Sequence, residues 1–538
     1  MPTPPNILLI MADQLTGAAM PMNGRTAVKT PHLSALAHEG VNFSNAYCNN
    51  PICAPSRASM LTGLLASRIG AYDNGASFSP EVPTLAHYLD AQGYSTTLSG
   101  KMHFVGPDQL HGYQERLTTD IYPSDYGWTA DWTVQDPPYA PSVMSLRGVV
   151  EAGVCVRSMQ VDHDEEVTAT TVQKIYDLAR SAEKKPFFIT ASLTHPHNPY
   201  TVPQEFYDLY TDEEIDMPTF GPLPLEERDP WSKRFYYLIR ADEHDVSPEN
   251  VRKARRAYYA TVSYIDDCVG RMLTALKKAG LDNNTIIIFT SDHGDMLGER
   301  GLWYKFNPFE WSIRVPMIIR TPDCRTAASV STPVSLLDLT PTLLDYAQKL
   351  GSPSHTEAFD GQTLRPLLTG KGSQEHAEIH IEFTAEGVYA PACILLNEQY
   401  KYIYCETDPP MMFDLKNDPH ERTNIAGQKA FEQVERGFVT RLHEIWDIHQ
   451  LRDTILTSQS RRLFLQRQVL LTAEHPQWDY QVRKDASQQY VRSKKDPSTA
   501  MTKSRARLPY IPPTPPDHPR PDHPSPDYSS PDYSSKER

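Results

Sequence analysis

Carboxylates at strand ends, a cysteine at a helix start and several basic side chains are the chemistry-bearing residues of this chain. Asp13 follows the apolar run Asn6-Ile7-Leu8-Leu9-Ile10-Met11, and Asp292-His293-Gly294-Asp295 follows another at 285–290. Ligand sites of open α/β sheets form beyond the carboxyl ends of the strands, so two such acidic segments can converge on one cation. Carboxylates mixed with an imidazole suit a hard or borderline divalent ion. Taken singly, Asp13 reads as a cap and the Asp-His-Gly-Asp run as a loop, the more frequent use of aspartate. Cys53 precedes Pro55-Ser56-Arg57-Ala58-Ser59-Met60-Leu61, which begins like a helix with proline in its first turn. A nucleophile or anion there gains from the helix dipole, whereas a free cysteine is more often a buried structural thiol. Cys48 lies nearby, but no Cys-x-x-Cys or second Cys/His pair accompanies it, which excludes zinc held by these thiols.

Positioning such residues calls for a sheet with helices on its faces. Short apolar runs at 7–11, 187–193, 285–290 and 316–319 read as buried strands. They alternate with helical patterns at 32–39, 84–92, 164–182 and 252–279, the last closed by Gly280. The fold class expected is α/β, a large, mainly parallel central sheet flanked by helices. Residues 199–246, rich in proline and acid, read as an excursion over the surface, a lid or a contact for another subunit. After residue 370 the texture changes. Strands at 379–383, 392–396 and 400–405 and a helix at 422–450 predict a smaller C-terminal α+β subdomain. The chain thus divides into a catalytic domain at 1–370, this subdomain at 371–457, a C-terminal arm at 458–507 that completes the site or an oligomer, and a proline-rich disordered tail at 508–538.

Composition narrows the classes of partner. With 52 basic against 67 acidic residues, the net charge of −15 disfavours nucleic acid and anionic membranes and mildly favours small cations. No apolar run approaches the ~20 residues that span a bilayer. Seven scattered cysteines form no disulfide framework, which points to a reducing cytosol. The N-terminal run lacks a basic flank and a cleavage site and reads as a first strand, not a signal peptide.

Longer motifs add a resemblance. Cys53-x-Pro55-Ser56-Arg57-Ala58-Ser59-Met60-Leu61-Thr62-Gly63 resembles the signature of type I sulfatases. Other segments match that family in order: residues 6–13, Gly100-Lys101-Met102-His103, Thr194-His195-Pro196-His197, Ser291-Asp292-His293-Gly294 with Lys305, and Phe413-Asp414-Leu415 with Asp418-Pro419, Glu421 and Asn424. The resemblance covers residues 6–425 and implies an alkaline-phosphatase-like sulfatase fold. It implies that a formylglycine-generating enzyme oxidises Cys53 to an aldehyde, 3-oxoalanine, whose hydrate attacks sulfur. The second hydroxyl of that hydrate then gives the bound sulfate its exit. By the same resemblance Asp13, Asp292, His293 and modified Cys53 bind one divalent metal ion. Calcium is the first choice, with manganese or magnesium as alternatives. Many sulfatases carry Asp-Asp and Asp-Asn where this chain has Asp13-Gln14 and Asp292-His293, which lowers the anionic ligand count and admits manganese. Arg57 and Lys101 are implied to position the nucleophile, His103 to accept the proton that releases sulfate, and His195 and Lys305 to bind sulfate oxygens. His195 is preferred here over His197.

Outside the shared signatures, Ile121-Tyr122-Pro123 with Gly127-Trp128-Thr129-Ala130-Asp131-Trp132 resembles the choline sulfatase branch. So do Gln477-Trp478-Asp479-Tyr480 with Asp485-Ala486-Ser487 and Tyr490-Val491-Arg492, and less sharply residues 458–464. The substrate implied is choline O-sulfate. Its quaternary ammonium donates no strong hydrogen bond and is recognised by aromatic faces with a carboxylate, here Trp128 and Glu386, joined by Trp478-Asp479 from this or another subunit. The last point implies a homo-oligomer. The alternative within the superfamily is a phosphonate monoester or phosphodiester hydrolase.

Overall fold

The apolar runs build the expected sheet. The computed structural model describes residues 4–472 except 138, 140, 142–143, 326, 348–356 and 372–377. Eight strands form the central sheet: β1 (Asn6–Asp13), β2 (Val41–Phe43), β3 (Ser95–Gly100), β4 (Glu115–Arg116), β5 (Phe187–Pro196), β6 (Thr285–Ser291), β7 (Met317–Arg320) and β8 (Ala328–Val330). Their spatial order is β8-β2-β7-β6-β1-β5-β3-β4. β1 runs parallel to both β5 and β6, and β3 continues parallel beyond β5. Within the described sheet, β7 alone runs antiparallel to its two neighbours. Every residue of β1, β5 and β6 is buried, because helices cover both faces of these strands; hence their continuous apolar runs.

Three helices matter for the site: α1 (Cys53–Thr62), α2 (Met159–Arg180) and α3 (Pro248–Lys278). α2 starts earlier than its apolar spacing suggested, because the Ser158 hydroxyl accepts a bond from Val161 N and caps it. α3 opens on a Ser247/Asn250 capping box and stops at Gly280, whose φ of 69° suits glycine. Residues 199–246 run largely exposed or half-buried, as a surface excursion does, with one well-packed stretch. They include the helix Pro230–Leu238, opened by Asp229 as cap and Pro230 in the first turn, whose buried Trp231 donates Nε1–H to the Phe306 carbonyl at 2.9 Å.

The C-terminal part carries a second sheet, antiparallel in sequence order, of β9 (Ile379–Phe383), β10 (Ala392–Leu396), β11 (Tyr400–Cys405) and β12 (Asp408–Asp414). β12 was hidden by Pro409-Pro410, which an edge strand tolerates because outward N–H groups have no ladder partner to lose. The helix expected over 422–450 begins ten residues later as α4 (Glu432–Ile445), and α5 (Ile448–Thr472) follows. Residue 458 lies inside α5. Among the described residues, no helix is long and apolar enough to cross a membrane. Trp478, Asp479, the rest of the late choline-type segment and the proline-rich tail lie outside the described residues.

Candidate active site

The carboxyl ends of β1, β5 and β6 meet the start of α1. One ligand atom each from Asp13, Cys53, Asp292 and His293 lies within 4.8 Å of the others, and all four residues are buried. Cys53 Sγ stands 3.2 Å from His293 Nε2. Two carboxylates, an imidazole and a fourth atom from position 53 suit one divalent cation.

Two buried cations hold these carboxylates. Arg57 donates from Nε to Asp292 Oδ2 at 2.8 Å and from Nη1 to the Lys101 carbonyl at 2.6 Å and Ser192 Oγ at 2.8 Å. Lys101 Nζ pairs with Asp13 and lies 4.2 Å from the centroid of the Tyr122 ring. Burial would raise the Cys53 thiol, but Lys101, Lys305 and His293 outweigh it and hold it well below its ordinary value. Likewise, burial would raise Asp292, yet Arg57 and His293 hold it below the usual carboxylate range. The site therefore favours negative charge at position 53.

Gln14 and Asp295, neighbours of the ligand residues, turn elsewhere. Gln14 Oε1 accepts from Lys305 Nζ at 2.7 Å, and its Nε2 donates to Asp295 Oδ2 at 2.5 Å. Asp295 also accepts from Tyr200 OH at 2.7 Å. Gln14 is thus a bracket between Lys305 and Asp295.

A cleft of ≈360 Å³ opens at this cluster, lined by Cys53, His103, His197, Lys305, Tyr122, Trp128 and Glu386 among others. The His103 ring is buried beside Cys53 and packs against Tyr122 and Trp128 at 5.6 and 5.5 Å, three rings in mutual contact. Glu386 is buried with Oε2 unpartnered. Burial, reinforced by Asp73, raises its carboxyl to about 8.

The two histidines of Thr194-His195-Pro196-His197 have separate surroundings. His195, preferred on sequence, directs Nδ1 at Asp164 Oδ2 at 2.6 Å and packs edge-on against Tyr264 of α3. His197 lines the cleft, with Nε2 2.7 Å from Lys305 Nζ and Nδ1 3.0 Å from Tyr122 OH. Burial and the Lys305 cation lower it, which keeps the imidazole neutral. Strand alternation places both on one face, but a turn in which His197 N donates to the Thr194 carbonyl at 3.2 Å breaks that rule. Sequence reasoning also missed the role of Tyr122 and of Asn74, whose Oδ1 accepts from Ala54 N at 3.0 Å beside the nucleophile.

The comparisons with known proteins agree with this geometry. The sulfatase family profile matches residues 5–349, and the chain belongs to the sulfatase family. The C-terminal profile of N-sulphoglucosamine sulphohydrolase matches 298–447, and the choline sulfatase C-terminal profile matches 453–506. The chain is 42% identical to a choline-sulfatase of Rhizobium meliloti, over 91% of this chain and 96% of the relative. An arylsulfatase of Clostridium perfringens is 30% identical, over 80% and 92%. Among solved structures, a phosphonate monoester hydrolase of Agrobacterium radiobacter superposes with a TM-score of 0.64 at 25% identity, covering 84% of this chain and 96% of that one. The alkaline-phosphatase-like sulfatase fold and a sulfatase activity follow. Family membership implies a divalent cation and a formylglycine made from Cys53, for which the four-residue cluster supplies the donors.

Proposed function

We propose that the chain hydrolyses choline O-sulfate to choline and sulfate with a nucleophile derived from Cys53. The observation that carries this reading is the pairing of two features in one cleft. Position 53 lines it, and so do Trp128, Tyr122 and the unpartnered Glu386 carboxyl. Aromatic faces and a carboxylate are what a quaternary ammonium requires. The Rhizobium meliloti choline-sulfatase relative supports it.

Asp13, Asp292, His293 and position 53 would hold the cation, calcium before manganese or magnesium, which supplies Lewis acidity and offsets sulfate charge. The protein's own groups divide the remaining work. Arg57, fixed by Asp292 and Ser192, and Lys101, fixed by Asp13, orient the reacting atom at position 53. His103 takes the proton whose departure from that position frees sulfate. Lys305 and His197 bind sulfate oxygens, and Lys305 protonates the departing choline oxygen. His195 braces this strand end through Asp164 and serves as a positioning residue.

Maturation by a formylglycine-generating enzyme belongs to this reading. All ten residues of α1 are buried, so that enzyme must act before folding is complete. Seven free cysteines support a reducing compartment. Exposed Phe464 and Leu465 on α5 support a homo-oligomer, which sedimentation would measure. The domain divisions at 370, 457 and 507 remain part of the same reading.

Mass spectrometry of the Cys53 peptide, with parallel rates on choline sulfate and an aryl phosphonate, tests the proposal. Formylglycine with preference for choline sulfate is expected. An intact thiol in fully active protein would refute the mechanism, and preference for the phosphonate would replace the substrate by that of the Agrobacterium radiobacter fold relative.

A further inference from the structure

The part of the cleft that carries Trp128 and Glu386 is held by residues far from it in sequence. Arg462, on α5 and only 5% exposed, donates from Nη1 to Asp73 Oδ1 at 2.6 Å and from Nη2 to Asp73 Oδ2 at 2.9 Å. The same Nη1 donates to Thr129 Oγ1 at 3.0 Å. One guanidinium therefore joins the segment carrying Asn74 to the segment carrying Trp128. These segments already touch closely: a Cβ on Gly75 would lie 2.5 Å from Thr129 N. One turn earlier on α5, Gln459 Oε1 accepts from Trp132 N at 3.2 Å. Trp132 Nε1 in turn donates to the Ala385 carbonyl at 3.0 Å, next to Glu386.

We infer that Arg462 and Gln459 form a clamp by which the C-terminal helix sets the alcohol-binding subsite, making Arg462 a positioning residue for substrate choice. The inference rests on the choline sulfate reading for its substrate and on the hydrogen bonds above for its mechanism. Arg462 reaches no reacting atom. A two-pronged, buried guanidinium–carboxylate pair fixes direction as well as distance, which a loop carrying Trp128 otherwise lacks. The sulfate side is anchored mainly by Arg57, Lys101 and the ends of β1 and β6, and the clamped segment meets it only through Asn74 and Ala54, so the clamp should weigh on the alcohol far more than on the sulfuryl chemistry.

Three variants of the full chain test this: Arg462→Met, Arg462→Lys, and Arg462→Met combined with Asp73→Asn, which removes the stranded buried carboxylate. In Arg462→Met the KM for choline sulfate should rise roughly 5- to 30-fold, the scale of a weakened cation–aromatic contact, with kcat and 4-nitrophenyl sulfate turnover held within about threefold. Arg462→Lys, with one compact charge in place of the fork, should recover part of the loss. The double variant should regain melting temperature without regaining the choline sulfate KM. Equal loss on both sulfates, or a KM restored in the double variant, would overturn the clamp in favour of a merely structural role. Hydrogen exchange reads the clamp without any substrate: protection at residues 126–132 should fall by roughly tenfold in Arg462→Met. Unchanged exchange would overturn the clamp, whereas failure of the wild-type protein to turn over choline sulfate would overturn the substrate reading.

Discussion

At the scale of single residues, the sharpest distinction lies between His195 and His197. The family resemblance favoured His195, although the two lie two residues apart after an apolar run and both flank Pro196. The structure separates them by the turn at Thr194, which sends His197 into the cleft beside Lys305 and leaves His195 on Asp164. His197→Ala is therefore expected to lower kcat by about 10²–10³-fold at nearly unchanged melting temperature, the usual span for losing one donor to a developing anion. His195→Asn, which keeps a donor for Asp164, should retain activity within about tenfold, far less than the loss at His197. Steady-state kinetics with thermal melts on both variants checks the contrast, and the reverse ranking would return the sulfate role to His195. Glu386 offers a second test. Burial and Asp73 raise its carboxyl to about 8, above its unfolded value, so the neutral form dominates below that pH. The neutral form suits the buried site, so its contribution to stability is full below the unfolded value and lost as pH rises through about 8. Recognition of a quaternary ammonium needs the opposite, charged form. The KM for choline sulfate should fall as pH rises through about 8, and Glu386→Gln should flatten that profile while sparing 4-nitrophenyl sulfate. A slope that survives in Glu386→Gln would assign the titration to another group.

At the scale of elements, the site depends on how closely strands can approach. Gly100 ends β3 at a φ of 100°, and a Cβ there would lie 1.9 Å from the Ser192 carbonyl oxygen. That same carbonyl accepts from Lys101 N at 3.0 Å, so the glycine lets β3 press against β5 and delivers Lys101 to Asp13. Gly100→Ala should destabilise by about 2–4 kcal/mol or more, and the surviving folded fraction should have lost most of its kcat. Denaturant melts and active-site titration would show this; a stable, fully active variant would mean that β3 can shift without cost. Central strands were legible because burial on both faces leaves an unbroken apolar run, as in β1, β5 and β6. Conversely, β12 was illegible because its edge position permits Pro409-Pro410, which sequence reasoning treats as a break. The residues that gather in the buried cluster were legible wherever a motif fixes them to a strand end or helix start, as for Asp13, Cys53, Arg57 and Asp292. Tyr122, Asn74 and Arg462 reach their partners from loops or from a distant helix, and no local spacing encodes contacts 75, 20 and 389 residues apart.

At the scale of the whole molecule, the cation cluster gathers distant stretches of chain. Cys53 is 40 residues from Asp13 and 240 from His293, and the three come from α1, β1 and the loop after β6. Such a donor set exists only in the folded chain, so binding there is linked to folding. Arg57 and Lys101 already offset part of the carboxylate charge, which keeps the cluster from repelling itself apart but leaves it incompletely neutralised once position 53 carries negative charge. Chelation should therefore leave a folded protein with a lower melting temperature. Calcium at a hundredfold excess over its Kd should restore about 2.7 kcal/mol, with the midpoint rising as the logarithm of calcium concentration. Asp13→Asn should abolish that dependence, since it removes one ligand and the charge that pairs with Lys101. Calorimetry across a calcium series, with manganese and magnesium series beside it, ranks the three ions by the same linkage. A melting temperature indifferent to chelation and to all three would show that Arg57 and Lys101 alone balance the cluster, and would remove the cation from the reading of this site.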